Sequence, residues 1–286
     1  MKIFTRNIFR SIIQYFKISL ERKKARRFFR HYPYVIHSFH LEHLGKIHFA
    51  NWQNPLVKPF TLTDAEMNFW QKFVNPGSLA LDIGSNIGDT TVPMALAAGR
   101  EGMTLGFDPN PHVFRILEKN ASMNKDKTNI IPYPYAITSE DCEVSYHSSE
   151  ASFANGGIST DGKSRHGKFR LPKKVKGIDL VRFLKSEYRH WLSRLSLIKI
   201  DAEGHDVEII KSIASLFHDH KPALVGEFFQ KYDLPQREVL FNLVSEMDYN
   251  LFYFYDFPDQ REVFRITPEN LDRPEIFNFY ALPRRA

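Results

Sequence analysis

Leu79-Ala-Leu-Asp-Ile-Gly-Ser-Asn-Ile-Gly-Asp89 decides how this chain folds. An apolar run ends in an acid, and a glycine-bounded turn then opens into the periodic apolar segment Ile87 to Ala98. That order predicts a strand, a tight turn and a helix. Such a turn lets a ligand approach bare backbone at a helix N-terminus, where unpaired N–H groups point outward. The spacing is Asp82-x-Gly84-x-Asn86-x-Gly88, which does not fit the dinucleotide fingerprint G-x-G-x-x-G. A carboxylate two residues before the first glycine suits a ligand with a cationic amine better than one with a pyrophosphate. S-adenosylmethionine is such a ligand.

Outward from this stretch, strands and helices alternate. Strands are expected at 79–83, 103–107, 129–133, 196–201 and 223–228, with helices at 87–98, 111–123, 205–217 and 235–247. Strands near 249–255 and 276–282 finish the chain. This is the order of an α/β protein with a doubly wound, mainly parallel sheet, here Rossmann-like. The last two strands read as a hairpin-like pair, which puts one antiparallel strand at an edge. Upstream, Thr63-Asp-Ala-Glu66 forms a capping box for a helix that ends near Asn75-Pro-Gly77. The expected organisation is a basic helical arm over 1–30, a strand and helix lead-in over 31–76, and a cofactor-binding domain over 77–286. The polar stretch 139–177 includes Ser148-Ser-Glu-Ala-Ser152, Asn155-Gly-Gly157 and Asp161-Gly-Lys-Ser164. It is either a partly ordered substrate-side flap or a passive loop.

The 286 residues suffice for one α/β domain with an extension, and the 25 phenylalanines make a large core available. Cys142 is the only cysteine, so an intrachain disulfide is impossible and a reducing compartment is favoured. The net charge of +6 is uneven: Met1 to Arg30 holds ten Lys/Arg and one Glu, whereas the rest holds 29 basic and 32 acidic residues. A nucleic-acid enzyme concentrates positive charge around its cleft, so nucleic acid is not the expected partner.

In the arm, Phe4, Ile8, Ile12, Tyr15, Phe16 and Leu20 recur at helical spacing opposite Arg6, Arg10, Gln14, Lys17 and Glu21. Two readings stay open. The arm attaches to an anionic membrane surface, each basic side chain adding about 1 kcal/mol, or its apolar face packs on the body or a second subunit. Its apolar run falls far short of the about 20 residues a membrane span needs, and it lacks the marks of a signal peptide. The expectation is a cytoplasmic protein, with a peripheral place at the membrane inner face and the oligomeric state both open. His31, His37, His40, His43 and His48 are irregularly spaced without a Cys or HExxH partner, and read as surface or strand histidines around a Gly45 turn, not as a metal site.

In a doubly wound sheet, ligands bind beyond the carboxyl ends of the strands. The acids placed there are Asp82, Asp108, Asp201, Glu203 and Glu227. Asp108 can accept both hydroxyls of a ribose, or cap the helix from Pro109 onward. In Asp201-Ala-Glu-Gly204, neighbouring carboxylates can raise a pKa and make a general base. They can instead hold a divalent cation or cap the next helix. His205 is a competing base, and Glu227 is either a site residue or a buried structural acid.

Several ordered blocks carry a resemblance. They are Leu81-Asp-Ile-Gly-Ser-Asn-Ile-Gly88, Gly106-Phe-Asp-Pro-Asn-Pro111, the spaced Leu117, Asn120 and Asn124, Tyr135-Ala-Ile137, Ile198-Lys-Ile-Asp-Ala-Glu-Gly-His205 and Pro222-Ala-Leu-Val-Gly-Glu227. With them the chain resembles the FkbM-type S-adenosylmethionine-dependent methyltransferases. The resemblance implies a class I methyltransferase fold and, usually, methyl transfer to a hydroxyl oxygen of a sugar, glycan or other secondary metabolite. It implies that Asp82, Gly84, Ser85, Asn86 and Gly88 surround the methionine portion of the cofactor. It further implies that Asp108 and the adjoining Pro109 hold the ribose side, that Ala136 lies near adenine and that Asp201 faces the reacting centre. Asp201, Glu203, His205 and Glu227 are the candidate catalytic residues. Asp108 and Asp206 stand where many relatives have Glu, which keeps the charge and shortens the reach. The alternatives are a nucleic-acid ribose or protein methyltransferase, and a non-catalytic cofactor-fold module tethered by the basic arm.

Overall fold

In the computed structural model an eight-stranded sheet organises the chain. The structure describes residues 2–159, 166–259 and 261–284, with side chains from Gln14 onward. Helix α1 (Lys2–Arg27) precedes an antiparallel hairpin, β1 (Tyr34–Leu41) and β2 (Gly45–Trp52), and helix α2 (Asp64–Trp70). The alternation then begins with β3 (Leu79–Ile83), α3 (Thr91–Ala98), β4 (Met103–Phe107), α4 (Pro111–Ala121) and β5 (Ile130–Tyr133). Five short strands follow: β6 (Tyr135–Thr138), β7 (Cys142–Ser148), β8 (Gly157–Ser159), β9 (Phe169–Arg170) and β10 (Val175–Asp179). After α5 (Leu180–Glu187) come β11 (Leu195–Ile200), α6 (Asp206–Ser212), α7 (Ala214–His220), β12 (Ala223–Glu227) and α8 (Leu234–Glu246). Strands β13 (Tyr249–Phe254), β14 (Val263–Arg265) and β15 (Asn278–Pro283) close the fold.

The strand order is β14-β13-β15-β12-β11-β3-β4-β5. Six strands run one way, and β14 and β15 oppose them. Strand β3 is buried along its whole length because it lies inside the sheet with helices on both faces. Its side chains alternate between two cores. Leu79, Leu81 and Ile83 join Ile198, Ile200 and Phe107 on one face, while Ala80 joins Leu197, Val225 and the α3 side chains on the other.

The expected mainly parallel α/β sheet is the one observed, with instructive differences in detail. The strand expected at 276–282 lies inside the sheet between β12 and β13, and the antiparallel edge is β14, three residues long and not expected at all. The helix expected at 87–98 starts only at Thr91, because Gly84, Asn86 and Gly88 hold φ of 77°, 46° and 94° and keep the preceding segment a turn. The helix expected at 205–217 breaks at Ile213 into α6 and α7. The polar stretch 139–177 is not a passive loop. It builds a second, five-stranded sheet over a small core of Ala136, Val144, Tyr146, Phe153, Ile158 and Leu171. The Asp161–Ser164 part of that expectation lies outside the described residues, as do the side chains of Phe4, Arg6, Ile8, Arg10 and Ile12. His37 and His40 sit on β1 and His48 on β2, and among the described residues no group of three or more His, Cys, Asp or Glu is placed to hold a metal.

The lead-in hairpin is fastened to α4 and the segment just after it by two amides, Asn120 and Asn124. Ala50 N–H donates to Asn120 Oδ1 at 2.6 Å, and Asn120 Nδ2 donates to Ile87 O at 2.7 Å. His48 N–H donates to Asn124 Oδ1 at 2.9 Å, and Asn124 Nδ2 returns a bond to His48 O at 2.8 Å. Each carboxamide imitates a neighbouring strand and satisfies edge backbone that would otherwise be stranded.

Gly84 brings the ends of β3 and β11 together. A Cβ there would stand 1.8 Å from the carbonyl oxygen of Asp201, whereas a Cβ at Gly77, whose φ is also positive at 81°, would meet nothing within 4 Å. Gly77→Ala is therefore expected to cost only the conformational penalty of about 1 kcal/mol. Gly84→Ala is expected to cost several times that, and urea unfolding of the two variants gives the comparison.

Candidate active site

A lysine inside the sheet sets the site geometry. Lys199 is 5% exposed in the apolar run of β11. Its Nζ lies 3.2 Å from Asp82 Oδ1, donates to Gly84 O at 2.9 Å and stands 3.8 Å from Asp201 Oδ2. Burial works to lower its pKa, but the charges of Asp82, Asp201 and Asp89 outweigh burial and the net shift is upward. The other Asp82 oxygen accepts from Thr90 Oγ1 at 2.8 Å and Thr91 Oγ1 at 2.6 Å.

Asp82 therefore lies beneath the turn, fully buried, and the cationic amine it holds is the protein's own. Ser85 and Gly88 also support the turn from below. Ser85 Oγ donates to Asp82 O at 2.7 Å, and Gly88 packs on Leu117 and Asn120.

The remaining expected residues converge on three adjoining cavities. The first is lined by Gly84, Asn86, Asp108, Pro109, Ala136, Asp201, Glu203 and His205, with Phe107, Tyr135 and Tyr146. The second has Gly84, Asn86, Asp89, Thr90, Lys199, Asp201, Glu227, Asp256 and Asn278. The third, on the outer side, has Ser149, Asn155, His166, Asp201, Glu203, Glu227, Phe229, Gln230 and Lys231. Asp201 lines all three.

Local backbone fixes each acid. Asp108 Oδ2 accepts from Asn86 N–H and Oδ1 from Asn110 N–H, both at 2.9 Å. Asn110 caps α4 through its side-chain oxygen and donates from Nδ2 to Phe153 O at 2.9 Å, tying the second sheet's loop over the cavity. Asp206 grips the Asp201–Gly204 loop, with its two oxygens accepting from Ala202 N–H and Gly204 N–H at 3.0 Å each. That grip keeps Glu203 at φ 54°, a left-handed conformation that costs a long side chain roughly 1–3 kcal/mol.

Burial sets the electrostatics. It pushes Asp108 up to about 7, against the opposing N–H groups of Asn110 and Asn86. Burial, followed by the charge of Asp201, raises Glu203 to about 7. Burial, followed by the charges of Asp201, Glu203 and Asp206, raises Glu227 to about 9. Lys199, Asp89 and Asp256 were not foreseen as site residues from the sequence, whereas the Asn155-Gly156 roof falls in the stretch read as either a substrate-side flap or a passive loop. Lys199 had a signal, a lone charge inside Leu197-Ile-Lys-Ile200, whereas Asp256 had none.

The profile of the Methyltransferase FkbM domain matches residues 82–260. The chain belongs to the FkbM methyltransferase family. The class I methyltransferase architecture implied by the resemblance is the one observed. Within this family's wider surroundings, the chain is 28% identical over 134 residues to the hexuronic acid methyltransferase AglP of Haloferax volcanii, covering 47% of this chain and 49% of that protein. It is 38% identical over 56 residues to a protein-L-isoaspartate O-methyltransferase of Caenorhabditis elegans, covering 20% of this chain and 25% of that one. The chain thus spans about half or less of these relatives. Among solved structures, the FkbM methyltransferase of Methylobacillus flagellatus KT superposes with a TM-score of 0.42 at 11% identity, covering 76% of this chain and 50% of that one.

Two outcomes test the site's construction. Lys199→Met leaves Asp82 buried without its counter-charge and is expected to cost about 3–5 kcal/mol. Adding Asp82→Asn to that variant should recover part of the loss in chemical denaturation. The second test is pH. Asp108, Glu203 and Glu227 have folded values near 7, 7 and 9 against ordinary values of 3.8, 4.5 and 4.5. The folded chain therefore binds more protons than the unfolded one between those limits, and stability is lost as pH rises through them. The Tm of the ligand-free chain should fall from about pH 5 to about pH 9, and Glu203→Gln should flatten the fall.

Proposed function

We propose that this chain transfers a methyl group from S-adenosylmethionine to a hydroxyl oxygen of a sugar, glycan or similar polyhydroxylated metabolite. The observation that carries this reading is the position of Asp201 in the wall of all three cavities, where an inner ligand and an outer one meet.

The residues present suit the cofactor. Asn86 Oδ1 is buried without a partner, and Asn86 lines both inner cavities. Each Asp108 oxygen accepts one backbone bond, which leaves acceptor capacity for a diol. Asp108 would hold the ribose, Ala136 with Phe107 and Tyr135 would flank the base, and the backbone at Gly84 and Asn86 would meet the methionine portion. Asp89 and Asp201 give the second cavity a negative field that favours a cation, and a cation there would also draw the proton from Glu227. When bound, the cofactor supplies a methyl group on a positively charged sulfur.

The protein's part is alignment, exclusion of water and removal of one proton. Alignment is worth about 7–11 kcal/mol, and a general base typically gives about 10²–10⁴-fold. Glu203, which joins the first and third cavities, has the pKa suited to taking the acceptor's hydroxyl proton near neutrality. His205 is the competing base, whereas Glu227, raised to about 9, holds its proton near neutrality. The outer cavity offers Ser149, Phe229, Gln230 and Lys231, a mixture of hydroxyl, aromatic, amide and cationic groups that suits a sugar ring. The Haloferax relative is a hexuronic acid methyltransferase, which supports a sugar acceptor, and the acidic body disfavours a polyanion such as RNA.

Calorimetry with S-adenosylmethionine, paired with a methyl-transfer screen of glycan, lipid-linked sugar and small-metabolite pools, tests the reading. Asp108→Ala should weaken cofactor binding first. Glu203→Gln should slow turnover by about 10²-fold or more while leaving cofactor affinity mostly intact. Equal loss of affinity in both variants would refute these roles. Running the screen with and without chelator separates a carboxylate base from a divalent cation held by the same acids.

A further inference from the structure

Among the described side chains, helix α1 meets the body through its last turns. Ala25 is fully buried, and the carbonyls of Ala25 and Arg26 accept from Ser152 N–H at 3.0 Å and Ala151 N–H at 3.1 Å. Arg22 Nε donates to Pro55 O at 3.0 Å. N-terminal to that hold, Gln14 to Ile18 are all exposed, more than a full helical turn. Tyr15 is 71% exposed, Phe16 66% and Leu20 52%. Scattered apolar residues on a surface are ordinary, but a contiguous set of large ones marks an interaction surface.

Charge selects the partner. Gln14 to Arg30 carries Lys17, Arg22, Lys23, Lys24, Arg26, Arg27 and Arg30 against the single acid Glu21, which already pairs with Lys24 at 2.8 Å and Arg30 at 3.5 Å. A second copy would bring an arm of the same sign. The rest of the chain has only slightly more acids than bases, too weak a complement for this density of positive charge. Large apolar side chains interspersed with long basic ones are the composition of a helix that lies in a bilayer interface. There the apolar groups enter the head-group boundary and the basic side chains extend to anionic head groups. Among the described residues no helix is long and apolar enough to cross a membrane, so surface attachment is the geometry available.

We propose that α1 docks this chain on an anionic bilayer surface, with Tyr15, Phe16, Ile18 and Leu20 entering the interface and Lys17, Lys23, Lys24 and Arg27 facing the head groups. The proposal stands independently of the acceptor of methyl transfer.

The test is co-sedimentation of the full chain with vesicles of phosphatidylcholine alone and of phosphatidylcholine mixed with phosphatidylglycerol. The chain should pellet with the mixed vesicles only, and added salt should release it. Lys17→Glu with Lys23→Glu should weaken binding by at least about tenfold. Tyr15→Ser with Phe16→Ser should also lose binding while keeping the parent's thermal unfolding. Failure of the parent chain to pellet with mixed vesicles, or pelleting of the charge-reversed variant equal to the parent, overturns the proposal. A stable dimer in light scattering that Tyr15→Ser with Phe16→Ser abolishes would assign the surface to a second copy and overturn it as well.

Discussion

The buried ammonium of Lys199 is the constraint on which the site depends. It sits among Asp82, the Gly84 carbonyl and Asp201, at the carboxyl ends of β3 and β11. A charge removed from water is tolerated only where its partners are close and its donors are used. Here that requirement fixes the two central strand ends relative to each other. The turn after β3 and the loop after β11 are thereby held as one unit. The 1.8 Å approach a Cβ at Gly84 would make to Asp201 is the steric counterpart of the same closeness.

Around this cation the protein gathers more carboxyl groups than it can keep ionised. Asp89, Asp108, Glu203, Asp206 and Glu227 are all raised, and burial is the leading cause for each. Such a cluster costs stability in the ligand-free chain. Held partly protonated near neutrality, these groups ionise more readily when a cation enters the cavity, which favours a cation there over an anion.

Much of this was legible in the sequence where the physics is local. The step from period-two to helical patterning at 79–98 exposed the first strand, turn and helix. The acids that close apolar runs, Asp108, Asp201 and Glu227, were readable as strand-end groups. What depended on distant partners was not. The insertion of β15 between β12 and β13 is a matter of pairing across the chain, and nothing near 276–282 announces it. Strands β8 and β9, of three and two residues, are too short to show a period. Asp82 looked available to a ligand because its partner, Lys199, lies 117 positions away in the chain. Asn120 and Asn124 were visible as a spaced pair, but their clamp on β2 became evident only with the hairpin in place.

The two hydrogen bonds from Ala151 and Ser152 to the end of α1 have a further consequence. Residues 151 and 152 immediately precede Phe153, Ala154 and Asn155, the segment that roofs the inner and outer cavities. The N-terminal arm is therefore also a strut for the ceiling of the cleft. Trimming the chain to its family-matching portion would remove the acceptors of those two amides and leave more of the ceiling's support to the Asn110 carboxamide.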